Sequence, residues 1–295
     1  MAITMAARLV QRQLGRSLRS RVAGEDAPER AQLIWGAQGP RWFTPDDPIW
    51  RVHADAAMFP AGITSLLLQS LHPLAMAGVA GHSGYKSDPW GRLQRTSHYL
   101  ATTTFGRITD AEAAIDKVRA IHERVRGRDH RGRPYRASDP HLLMWVHVAE
   151  IDSFLRGFQT FSAAPLTDVD ADTYVAQAAI PARRLGVVDP PTDVASLRAV
   201  LQAYRPELEA TRAAREAAAF LLLNPPLPLA ARAGYGTLAA GGVSLLPGWA
   251  RRMLGIPLPD LASSLVARPL GRFGTAAVRW GLAGLEERRP SDPAA

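Results

Sequence analysis

The chain has 295 residues, a formal net charge of +8 and 47% hydrophobic residues, which places it among globular proteins with a sizeable core and away from disordered or low-complexity chains. It has no cysteine, so disulfides, thiolate metal sites, iron–sulfur clusters and thiol catalysis are excluded. Its only lysines are Lys86 and Lys117, so 33 of the 35 basic residues are arginine. Such a charge draws nucleic acid or anionic membrane. No groove-reading motif accompanies it, and no nucleic-acid partner is expected.

Residues 1–23 repeat Arg8, Arg12, Arg16 and Arg19 along one face of a helical pattern, with Leu9, Val10, Leu14 and Leu18 largely elsewhere. Two readings stand: an arm packed on the domain, or a weak contact with an anionic membrane surface. No apolar leader is evident, so the expected location is cytoplasmic, peripheral at a membrane if the arm anchors there. After a loop over 24–43, Thr44-Pro45-Asp46-Asp47-Pro48 signals a helix start. Residues 56–81 carry no Asp, Glu, Lys or Arg, but Pro60, Gln69, His72 and Pro73 interrupt them. A buried helix pair fits that run better than a membrane span.

Asp88-Pro89 opens a helix to about Phe105. Thr109-x-x-Glu112 reads as a capping box for a helix to about Val125, with Gly127 suited to its C-cap. A loop over 127–139 follows, and Asp139-Pro140 opens a long helix to about Phe161. Helical patterns recur over 166–186, 192–204, 206–223 and 260–285. Loops are expected at 186–192 and 224–229. Asn224-Pro225-Pro226 and Pro228 break the apolar stretch from Ala217 to Trp249, where shallow membrane contact is one reading. Strand-like alternation is scarce. The expected fold is all-α: a single globular domain over 24–286 with globin-like or bundle-like packing, behind the N-terminal helix and ahead of a disordered tail over 287–295.

Several side chains carry chemistry. Ala114, Ile115, Val118, Ile121, His122 and Val125 share a helix face, so His122 is expected to point into the core. A buried imidazole needs partners, and a core histidine bonded to a carbonyl or carboxylate stands beside a metal ligand. Arg92, Arg95, Thr96, Tyr99 and Thr103 share one side of the preceding helix. Two guanidiniums a turn apart suit a carboxylate or another anionic group; a solvated face is the alternative. His72 sits before the kink expected at Pro73, beside a pocket or a packing device. His82-Ser83 caps that run or lines a pocket mouth. His147 and Glu150, a turn apart, suit the role of hydrogen-bond partners to a metal ligand, or form a simple bonded pair. Glu-x-x-His, His-Glu-x-x-His, Gly-x-Ser-x-Gly, Walker and Gly-x-Gly-x-x-Gly signatures are all absent.

The order His72-Pro73, Gly81-His82-Ser83, Asp88-Pro89-x-x-Arg92-Leu93-x-Arg95-Thr96, Phe105-Gly106, His122-x-x-Val125-x-Gly127, Tyr135-x-Ala137-x-Asp139-Pro140 and Trp145-Val146-His147 resembles one family. It is that of the bacterial rubber oxygenases (latex-clearing proteins) and the fungal MpaB-type oxygenases. The matching pieces cover roughly residues 60–160. The resemblance implies an all-α fold around non-covalent haem b, with His122 as the iron ligand. It implies catalytic and cofactor-binding roles for Arg92, Arg95 and Thr96, and places His72 and His147 beside the cofactor. The implied function is a haem-dependent oxygenase acting with O2 on a hydrophobic small molecule or polyisoprenoid. Two departures stand out. Arg95 occupies a position where rubber oxygenases carry lysine, and no acid lies between Ala56 and Ser87, upstream of Arg92, where they carry a distal glutamate. A haem- or apolar-ligand-binding protein without turnover, and a peripheral membrane helical protein, are the alternatives.

Overall fold

The computed structural model describes residues 2–24, 26–82, 84 and 87–286; Ser83 and the tail over 287–295 lie outside them. The described chain is 73% helical with two short strands, a single all-α domain. In order come α1 (Ala2–Ala23), α2 (Ala27–Trp35), α3 (Pro48–Ala54), α4 (Met58–Gln69), α5 (Pro73–His82), α6 (Pro89–Phe105) and α7 (Ile108–His122). A hairpin of β1 (Arg126–Arg128) and β2 (Pro134–Arg136) leads to α8 (Pro140–Phe161), α9 (Asp168–Leu185) and α10 (Val194–Ala203). A 3-10 turn (Arg205–Glu207) precedes α11 (Arg212–Leu222), α12 (Leu229–Leu245), α13 (Gly248–Met253), the short α14 (Asp260–Ala262) and α15 (Arg268–Glu286).

The apolar run over 56–81 is a bent pair. α4 ends at Gln69, Pro73 occupies the first turn of α5, and the two axes diverge by 108°. Proline has no N–H to continue the ladder, so the break falls at the expected residue. Among the described residues no single helix is long and apolar enough to cross a membrane. α8 forms the centre: Trp145, Val148, Ala149, Ile151, Phe154 and Phe158 are buried, and α4, α9, α10 and α12 pack around it. α1 lies against α15 and α6; Gln11 donates to Trp280 O at 2.8 Å, and Leu14 packs on Gly281.

Helix crossings depend on missing side chains. A Cβ on Gly157 of α8 would stand 2.6 Å from the Ala61 Cβ of α4, whereas one on Gly234 of α12 would meet nothing within 4 Å. Gly157→Val should therefore lower unfolding free energy by about 3 kcal/mol in urea titration. Gly234→Ala, in contrast, should raise it by up to about 1 kcal/mol.

Local expectations failed where tertiary contacts took over. The Thr109/Glu112 capping box does not start α7. The helix begins at Ile108, whose N–H donates to Pro40 O, after an N-cap Arg107 held by Asp110 at 2.7 Å. Gly127 is not a C-cap but a strand residue paired with Tyr135, because α7 ends at His122 and the chain turns into the hairpin. The stretches expected as loops contain α2 and the hairpin. The apolar stretch after Pro228 is the core helix α12, packed on α4 and α15.

Candidate functional site

The α6–α7 pair and one face of α8 carry most of the residues singled out in the sequence. Asp88 caps α6 by accepting from Gly91 N–H at 2.9 Å, which fixes where the helix begins. The same carboxylate holds Arg95 at 3.1 Å, so that guanidinium folds back along the exposed N-terminal turn. Thr96 is exposed beside it, while Arg92 and Tyr99 are half-buried. One turn on, Thr102 is buried with an unpartnered hydroxyl, and the Thr103 hydroxyl donates to Tyr99 O at 2.9 Å.

His122 closes α7. Ala111 and Ile115 anchor the buried face, while Ile121 is 42% exposed and does not share it. The His122 ring is half-buried; its Nδ1 is buried and has no hydrogen-bond partner. Burial holds its basicity below the usual histidine range, against a small opposing pull from Glu123. The ring is therefore neutral at physiological pH, the form a metal ligand needs.

α8 presents the third group. His147 Nε2 is likewise buried and unpartnered, and burial pulls its pKa down to about 4. Glu150, one turn on, is pushed up to about 7 by burial. Its charge acts on Tyr99 of α6 and Tyr174 of α9, whose phenols burial already raises. His53 of α3 bridges Thr104 Oγ1 at 2.7 Å and Tyr174 Oη at 3.4 Å; burial pulls it down to about 4. α6 and α7 pack on each other, yet neither runs along α8. Weakly basic imidazoles, a carboxyl that titrates near neutrality and two phenols thus flank the interval between α6 and α8.

Residues 50–280 match the family described as ER-bound oxygenase mpaB/B'/Rubber oxygenase, catalytic domain. The chain belongs to this family. No curated protein and no solved structure matches it. The matched span of this rubber oxygenase/MpaB-type domain runs from α3 into α15, well beyond the motif-bearing segment, and its function is accordingly of the oxygenase type.

The structure places His72 apart from the α6 residues. It is 2% exposed at the α4–α5 break, and its ring meets His141, Trp145 and Tyr204. His141 Nε2 stands 2.8 Å from Glu207 Oε2, and His72 Nε2 stands 3.5 Å from the same oxygen. His141 and Glu207 had no sequence signal: they lie on different elements with no shared spacing. His141 and His147 are six residues apart on α8, which separates them by about 120° around the helix and about 9 Å along it. The two groups therefore occupy different faces of one helix.

Proposed function

We propose that this protein is a haem b-dependent oxygenase acting with O2 on a hydrophobic, isoprenoid-type substrate, and that His122 would hold the haem iron. The buried Nδ1 of His122, left without a partner inside the family-matched span, is the observation that carries this reading. Buried nitrogens are ordinarily hydrogen-bonded. A neutral imidazole with such an atom, cations on α6 and no cysteine fit a histidine-ligated, non-covalent haem. Bound haem supplies the redox chemistry of oxygen activation.

The chain's own residues supply the surroundings. Arg92, half-buried on α6, would meet propionate carboxylates. Arg95 and Thr96 form a polar rim where α6 begins, and the Asp88 pair restrains Arg95 there. Glu150 holds a proton below its pKa of about 7 and releases it above, so it can serve as the acid or base missing from residues 56–87. His147 stays neutral and supplies a buried nitrogen beside it. This reading keeps the protein cytoplasmic, with α1 packed on the domain.

The full chain, purified after expression with haem supplementation, should show a Soret band and about one haem per chain. A colourless protein that takes up no haemin would remove the reading. Oxygen consumption with geranyl, farnesyl and polyisoprene compounds then separates turnover from binding alone.

A further inference from the structure

We infer that His72, His141 and Glu207 form a second site, separate from His122, for a single divalent transition-metal ion of the zinc or iron(II) class. The three donors come from three elements. His72 sits at the α4–α5 break, where Pro73 cuts the helix. His141 lies in the first turn of α8, set by the Asp139 cap that accepts its N–H at 2.9 Å. Glu207 ends the 3-10 turn after α10. One donor atom from each lies within 4.8 Å of the other two. A tetrahedral zinc ion with bonds near 2.1 Å keeps its donors about 3.4 Å apart. The 2.8 and 3.5 Å separations to Glu207 bracket that value, and rotation of the half-exposed His141 ring adjusts the third.

The hydrogen bonding around His141 leaves a positive charge to be supplied. Tyr204 Oη donates to His141 O at 2.7 Å and lies 3.2 Å from His141 Nδ1. With its proton committed to the carbonyl, the phenol oxygen accepts from Nδ1–H. The Nε2 lone pair of a neutral His141 then faces the Glu207 carboxylate at 2.8 Å, and two lone pairs repel at that distance. A proton or a cation must lie between them. A shared proton satisfies His141 and Glu207 but leaves His72 Nε2 buried, off hydrogen-bond geometry and without a partner. An unmet buried donor or acceptor costs about 1–3 kcal/mol. A metal ion satisfies all three donors at once. It requires the ring proton of His72 on Nδ1, where the Ala75 N–H approaches only to 3.5 Å, a contact long enough to give way.

Two imidazoles and a carboxylate select zinc, iron(II) or cobalt(II) over calcium and magnesium, which prefer all-oxygen ligands. His141, Tyr204 and Glu207 also line a cleft of about 370 Å³, whose remaining wall is largely apolar. Three protein ligands and an open fourth position facing a cleft describe a site that binds water or one small ligand on the ion.

The test is calorimetric titration of the chelator-treated full chain with Zn2+, on haem-free and haem-loaded protein alike, with Co2+ visible absorption as a second readout. One ion per chain is expected, with the cobalt spectrum of a four- or five-coordinate nitrogen–oxygen site. His141→Asn and Glu207→Gln change side chains that are 53% and 45% exposed, so both variants should keep the wild-type circular dichroism. Each should weaken binding by roughly a hundredfold or more, and Tyr204→Phe by at least about tenfold through the lost orientation of His141. Wild-type protein that takes up no Zn2+, or variants that bind it as wild type does, would overturn the proposal and leave a proton-shared His141–Glu207 pair. Neither result depends on haem uptake, so this site and the haem reading fail separately.

Discussion

His122→Ala is expected to abolish stoichiometric haem uptake, weakening it by roughly a hundredfold or more and shifting whatever Soret band remains. For a non-covalent haem held at His122, the iron–nitrogen bond would be the principal anchor. Apolar contacts and the α6 arginines cannot replace it. The same substitution should leave stability nearly intact, within about 1 kcal/mol in urea titration, because the half-buried ring contributes no hydrogen bond from Nδ1. That pairing separates a lost ligand from a lost fold. Added imidazole should restore part of the Soret band in the variant. A variant that binds haem as the wild type does would assign the ligand elsewhere, with His147 the next candidate.

The second large effect is on stability at acid pH. His53 and His147 have folded pKa values pulled down by burial to about 4 from the ordinary histidine value of 6.5. The unfolded chain therefore takes protons below pH 6.5 that the folded chain refuses. The stability these two groups hold above pH 6.5 is lost progressively as pH falls towards 4. At about 1.4 kcal/mol per pKa unit, the pair loses about 4 kcal/mol between pH 7 and 5. Glu150 works the other way. Its folded pKa of about 7 lies above the unfolded value of 4.5, so the folded state gains a proton first as pH falls. That returns about 2 kcal/mol between pH 7 and 5. These three groups together thus cost the wild-type protein about 2 kcal/mol over that range, while Glu150→Gln keeps the full histidine loss of about 4. Parallel pH dependences in the two proteins would show that Glu150 is not buried as described.

Much of this molecule was legible from local chemistry. Asp88 and Asp139 each precede a proline, and each accepts a backbone N–H at the start of its helix, as the Asp-Pro pairs foretold. Pro73 broke the apolar run into a bent pair. The motif order led to the family that the chain proves to belong to. These features depend on neighbours within a turn or two, which sequence displays directly.

Other features were set at a distance. Ile108 rather than Thr109 opens its helix because Pro40 O receives its N–H from across the fold. The three-residue strands of the hairpin are too short to show a period of two. α12 reads as an irregular apolar stretch until Gly241 is seen against Gly271 of α15, where an added Cβ would meet backbone within 3 Å. The pairing of Arg95 with Asp88, seven residues earlier at the N-cap of the same helix, was likewise not readable from the helical pattern.

By itself, then, the sequence determined the all-α class, the helix starts at Asp88-Pro89 and Asp139-Pro140, the absence of thiol chemistry and the family resemblance from which His122 is proposed as ligand. Only the tertiary structure decided that Glu150 would titrate near neutrality, since its burial comes from helices remote in the chain. It alone also brought His72, His141 and Glu207 together. Their approach is created by the 108° turn between α4 and α5 and by the docking of the 3-10 turn beside α8, and no spacing along the chain encodes a convergence of three separate elements.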